Sequence, residues 1–162
     1  FVLVPLMIEV WEVGRMVQIQ QIVSNAAREG ARLAAQGRTL TTDGTITNIK
    51  ATVEPTGTLD TTPNVKAAAY QSLRGAGLTG LAWADVGCTF KFLNKPTGAT
   101  KGPTDADANP HDGVKNQEFE VSVSVPWNKV RWTTLGVLQP ATISYKVEWR
   151  MLIADPFTVN TT

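Results

Sequence analysis

Cysteine and histidine are almost missing from this chain, with one of each in 162 residues. Cys88 alone cannot close an internal disulfide or build a cysteine metal site. Set in "DVGCTFKF", it reads as a small core hydrophobe rather than a nucleophile. His111 lies in a polar loop with no nucleophile near it in sequence, and reads as a surface residue. Excess charge is missing too: the formal net charge is +1. No basic face stands out, so nothing electrostatic argues for nucleic acid. Long apolar runs are absent as well. The stretch from Phe1 to Ile8 is uncharged, but Glu9, Glu12 and Arg15 follow, whereas a membrane span needs roughly 20 mostly apolar residues. An acid at mid-membrane costs on the order of 3 kcal/mol unless a partner is at hand. The basic leader and small-residue cleavage site of a secretory signal are not seen. "GAGLTG" at 75–80 lacks the lysine and the strand–turn–helix setting of a phosphate loop. Ser122 and Ser124 lack a nucleophile-elbow sequence. None of this reads as an enzyme.

What is present is enough apolar material for a core, 43% of residues, in a length that suits one domain with at most one protruding element. Gly, Thr and Pro crowd 37–62 and 94–116, while residues 1–36 hold one Pro and two Gly. That contrast predicts one long helix over 1–36 followed by a loop-rich globular part. From Val13 onward Met16, Ile19, Val23, Ala26, Ala27, Gly30, Leu33 and Ala34 form a broad stripe, with polar residues largely elsewhere. Gly37 is the expected stop. A helix of that length spans about 50 Å at ~1.5 Å per residue, against a radius of roughly 15 Å for a domain of this size. Its apolar end therefore projects, into lipid or against other copies. Pro5 is harmless in the first turn of a helix that starts at Phe1, and would kink a helix that starts upstream. Glu12 and Arg15, three apart, are placed to pair; Glu9 has no basic neighbour within a turn.

Within "SNAAREGARLAAQG" (24–37), Ala27, Gly30 or Ala31, and Ala34 recur at helical spacing. Small residues on one stripe let two backbones come close. Two readings stay open: packing against the chain's own domain, or a contact between subunits. On the second, Gly30→Leu blocks assembly and leaves the rest folded.

The segment "VLVPLMIEVWEVGRMVQIQQIVSNAAREGARLAA" resembles the N-terminal segment of TadE-like pilins, the pseudopilin family of tight-adherence (Tad) pilus systems. The resemblance rests on the hydrophobic stretch with Pro5, the acid before Gly14-Arg15, and "NAAREGAR" at 25–32. It continues more loosely through "EFEVSVSVPWNKVRW" and "ATISYKVEWRM". It implies a type IV pilin-like subunit exported through the inner membrane, processed by a prepilin peptidase and held in the bilayer by its helix until assembly. Its implied partners are copies of itself in a helical filament, other pilins and the pilus assembly machinery, and its implied place is a filament at the cell surface. Subunit packing would then run through Phe1, Leu3, Pro5, Glu9, Glu12, Arg15, Ala26, Ala27, Gly30, Ala31 and Ala34. Pilins of this kind carry Glu at the fifth position, where this chain has Pro5. Either that glutamate lies upstream of Phe1, or Glu9 or Glu12 takes its role.

The expected fold is α+β, with a stem over 1–37 and a head over 38–162. In the head, Thr62 as N-cap and Pro63 as first residue open a helix near 63–76 that Gly75 or Gly77 ends. Val86, Cys88, Phe90 and Phe92 alternate as a half-buried strand. So do Phe119, Val121, Val123 and Val125, with Glu118, Glu120, Ser122 and Ser124 outward and Pro126 as the stop. Ile143, Tyr145, Val147, Trp149 and Met151 alternate likewise, and 45–53 is a candidate edge strand. Together these give an antiparallel sheet packed on both helices.

One small-ligand candidate remains. Asp105, Asp107, Asn109 and Asp112 in "DADANPHDG" could offer oxygens to Ca²⁺, although Pro110 stands where an EF-hand loop needs Gly and Asn116 where it needs Glu. The Thr-rich stretches 39–62 and 94–104 are surface loops, glycosylated or plain, and Asn160-Thr161-Thr162 is formally a glycosylation acceptor. Trp127, Trp132 and Trp149 belong to the core, or, if exposed together, to a subunit contact. Three functions fit: a structural filament subunit, a minor pseudopilin or membrane-anchored assembly factor, and an anchored Ca²⁺-dependent adhesin.

Overall fold

A computed structural model describes residues 3–40, 44–53, 63–131 and 140–152. The chain is α+β. Helix α1 runs over Leu3–Gln36. Gly37 ends it with φ +64°, a conformation that glycine adopts without penalty. The Gly37 amide donates to the Ala34 carbonyl at 3.0 Å, and the Leu152 amide satisfies the Ala35 carbonyl at 2.9 Å. The end of α1 is thus tied to the last described residues of the chain.

Strands β1 (Arg38–Leu40) and β2 (Ile46–Asn48) form a separate antiparallel ladder. The candidate edge strand at 45–53 therefore does not extend the main sheet. It folds back on the residues that leave α1, because the Ile49 amide is engaged by the Gly37 carbonyl at 3.0 Å.

Helix α2 spans Val65–Gly75. Its N-cap is Asn64, whose Oδ1 accepts from the Ala67 amide at 2.7 Å. Pro63 is not the first helical residue, and Thr62 lies outside the described residues. The reason is a short parallel bridge: the Lys50 amide donates to Pro63 O and the Val65 amide to Lys50 O. This keeps 63–64 extended and delays the helix. At the other end both glycines act. Gly75 is the last helical residue, and Gly77 (φ +96°) turns left-handed. The Gly77 amide reaches Arg74 O and the Leu78 amide reaches Leu73 O, with Leu73 and Leu78 buried together. That is a Schellman closure with its apolar contact.

The main sheet has the order β3 (Gly87–Phe92), β4 (Glu118–Pro126), β5 (Thr142–Arg150), all antiparallel. Its register sets Phe92, Phe119 and Trp149 in one row, and Phe90, Val121 and Val147 in the next. Cys88, Val123 and Tyr145 form the third row of the same face. Phe119, Val121, Val123 and Val125 are fully buried, as their alternation predicts. On the opposite face Glu120 is not fully outward. Lys91 at 3.2 Å and Lys146 at 3.5 Å close over its carboxylate and leave the residue buried. Pro126 ends β4, and a single helical turn, α3 (Trp127–Val130), follows.

Helices α1 and α2 cover the apolar face. Helix α1 packs on α2, β4 and β5, and α2 reaches β3. Burial along α1 becomes complete from Ile19 onward, through Val23, Ala26, Ala27, Ala31 and Ala34.

Candidate assembly surface

Helix α1 divides by what covers it. From Leu3 to Val17 its large apolar side chains stand in the open: Leu3 is 75% exposed, Met7 72%, Val10 65% and Trp11 63%. Val4, Leu6, Val13 and Val17 are exposed as well. The contiguous display of so many large apolar side chains marks an interaction surface rather than an ordinary solvated helix. Among the described residues no helix is long and apolar enough to cross a membrane.

The charged residues of this segment are placed differently from one another. Glu9 is exposed, whereas Glu12 is buried. Arg15 donates through Nη1 to Gln18 Oε1 at 2.9 Å, and through Nε and Nη2 to the Val130 carbonyl, each at 3.4 Å. That carbonyl closes α3, so a cation meets the negative end of a helical turn. Arg15 thus joins the stem to the globular part at the point where α1 leaves it. Phe1 lies outside the described residues. Pro5 stands in the first described turn of α1.

The small-residue stripe is placed by the fold against the chain itself. Ala26, Ala27, Ala31 and Ala34 are fully buried. A Cβ on Gly30 would stand 3.1 Å from Val65 Cγ1 and 3.7 Å from Val121 Cγ1. The stripe is small because α2 and β4 approach α1 closely, and of the two readings the packing against the chain's own domain is the one these contacts make. Around it Glu29 and Arg32 form a two-pronged pair at 2.6 and 3.2 Å. The hydrogen bond from Arg32 holds the Glu29 carboxyl below its ordinary value.

The calcium candidate is likewise not assembled. Asp105 Oδ2 accepts from the Gly102 amide at 2.7 Å, and Asp107 Oδ2 meets Lys101 Nζ at 2.6 Å. Asn109 Oδ1 accepts from the Ala51 amide at 3.0 Å, and Asp112 Oδ2 from the Asn109 amide at 2.9 Å. The oxygens cap turns and pin segments instead of converging. Among the described residues no group of three or more His, Cys, Asp or Glu side chains is placed to hold a metal ion.

His111 is less peripheral than a loop position suggests. Its Nδ1 lies 3.1 Å from the Ile49 carbonyl, so that nitrogen carries the proton, and Nε2 is 3.5 Å from Asp112 Oδ1. Cys88 is half-buried on the sheet's apolar face, and burial pushes its thiol up to about 12. A thiol held protonated in this way is inert, as its neighbours predict. Of the tryptophans, Trp127 is core, Trp149 is open, and Trp132 lies outside the described residues.

The residue that sequence reasoning passed over is Gln117. It is fully buried. Its Nε2 donates to Asn94 O at 3.0 Å and Lys101 O at 2.8 Å, and its Oε1 accepts from the Val114 amide at 3.1 Å. One side chain thereby folds the long loop between β3 and β4. Its only signal in the sequence is a lone glutamine just before an alternating strand.

No curated protein and no solved structure matches the chain. Over residues 1–32, a span that includes the exposed apolar part of α1, the chain matches the family model of TadE-like proteins.

Proposed function

We propose that this chain is a pilin-like structural subunit of a Tad filament, assembling through the apolar side chains that α1 exposes between Leu3 and Val17. The observation that carries this reading is their exposure on a helix whose other half is packed into the fold. The match to TadE-like proteins over the same helix supports a Tad pilus-associated, structural rather than catalytic, role at a surface or membrane. In this reading the stem is held in the inner membrane before assembly and is then covered by neighbouring stems. Burying it between copies removes its side chains from water at about 25 cal/mol per Å². Glu9, exposed on the stem, must then meet a donor within the bundle, because an unpaired buried carboxylate is strongly destabilising.

Disulfide trapping tests this. The single native cysteine is inert, so a cysteine at Val10 reports alone. Val10→Cys is expected to give disulfide-linked copies in material sheared from cells, while Ala27→Cys, buried against the chain itself, gives none. Absence of linkage for cysteines at each of Met7, Val10 and Val13 would overturn stem-to-stem packing.

A further inference from the structure

Two open grooves run side by side over the outer face of α1. One, of about 670 Å³, lies between α1, α2 and Trp149, and among its lining residues are Asn25, Arg32 and Gln71. The other, of about 490 Å³, continues toward Tyr145. Asn25 and Arg28 line both, so the two form one trough.

The aromatic residues at its ends are oddly placed for core residues. Tyr145 and Trp149 stand on the apolar face of the sheet, in register with Val123 and Phe119, which are fully buried. Yet Trp149 is 41% exposed. The sheet directs this indole inward and the helices leave it uncovered. Four residues of strand separate the two backbone positions by about 14 Å at ~3.4 Å per residue. Between them lie planar polar groups. Arg32 is locked against Glu29, while Asn25 and Gln71 each carry an amide with both donor and acceptor.

Arg28 adds a charge. Among the described residues it forms no ion pair, and it lies with Ser24 beside the Tyr145 hydroxyl. Those contacts hold the Tyr145 phenol below its ordinary value, Ser24 contributing most. A guanidinium without a carboxylate, beside an open indole, suits a ligand with an apolar flat face and an anionic edge. Such a fork recognises carboxylates well.

We propose that this trough binds an acidic saccharide, with one sugar ring stacked on Trp149 and a uronate carboxylate on Arg28. The spacing of Tyr145 and Trp149 along β5 suits a short oligosaccharide rather than a single sugar. Amide and guanidinium groups along the floor supply hydrogen bonds to hydroxyls. The site borders the exposed stem at Val17, which lines the second groove, and its other lining residues lie beyond the stem.

The test is calorimetric titration of the full chain with trigalacturonate and, for comparison, maltotriose, a neutral trimer. A zwitterionic detergent without a sugar headgroup keeps the stem in solution. Binding of trigalacturonate is expected, weaker for maltotriose and weakening with salt. Trp149→Ala should lower affinity for trigalacturonate by about tenfold or more. Arg28→Gln should abolish the preference for the acidic trimer. Should Trp149→Ala fold poorly, amide shifts of the unaltered chain serve instead, with Asn25, Gln71 and the Trp149 indole expected to move. No binding of either trimer, equal affinity for both, or shifts confined to other residues would overturn the proposal.

Discussion

The position a Cβ would take on Gly30 lies 3.1 Å from Cγ1 of Val65, across the contact between α1 and α2. Close packing of that kind accounts for the glycine, and it places the small-residue stripe inside the fold. Gly30→Leu is therefore expected to destabilise the globular part by about 1–3 kcal/mol through overpacking, the reverse of the expectation that it leaves the rest folded. Thermal unfolding monitored by circular dichroism checks this. An unchanged Tm would return the stripe to the role of an outward seam.

Gln117 joins three backbone groups of the loop between β3 and β4. Gln117→Leu keeps the volume nearly constant and removes every hydrogen bond of the side chain. Two carbonyls and an amide then lose their partner, at a cost of about 1–3 kcal/mol. Hydrogen exchange should rise at Val114 and through 94–116, while the amides of β4 stay protected.

Calcium is expected to have no effect on stability, since no metal-holding group of carboxylates is assembled among the described residues. The oxygens of Asp105, Asp107, Asn109 and Asp112 already accept from Gly102, Lys101, Ala51 and Asn109. Differential scanning calorimetry with a chelator and with added calcium should give the same Tm. A rise with calcium would mean that the loop rearranges to bind it.

Cys88 carries the pH argument. Burial raises its thiol from 9.0 to about 12, so the folded state keeps a proton that the unfolded chain releases earlier. This contribution to stability is complete below pH ~9 and is lost as pH rises toward 12. At pH 8 the native chain should react with a thiol reagent no faster than it unfolds, and denaturant should release one reactive thiol. Cys88→Ala should weaken the alkaline loss of stability. A fast native reaction would contradict burial of the sulfur.

The readability of this fold follows the period of its residues. Strand β4 alternates cleanly, because one face meets helices and the other water, and its inward residues are all buried. The extent of α1 was visible in the contrast between its glycine-poor sequence and the loops beyond Gly37. The start of α2 differs from the sequence pattern because Thr-Thr-Pro has local N-cap chemistry, whereas the bridge from Lys50 is a tertiary constraint. The stripe around Gly30 was legible as a close contact but not as to its partner. Spacing states how near a neighbour comes, and it does not say which chain supplies it. Gln117 and the trough beside Trp149 were hidden for a related reason: each depends on residues brought together from separate elements.

The most direct measurement is cryo-electron microscopy of filaments sheared from cells that make this protein. The account predicts density built from copies of this chain, with residues 3–17 of neighbouring stems in mutual contact at the axis and the sheets outside. Filaments that lack the chain, with the protein retained in the membrane fraction, would contradict it and assign a minor assembly role instead.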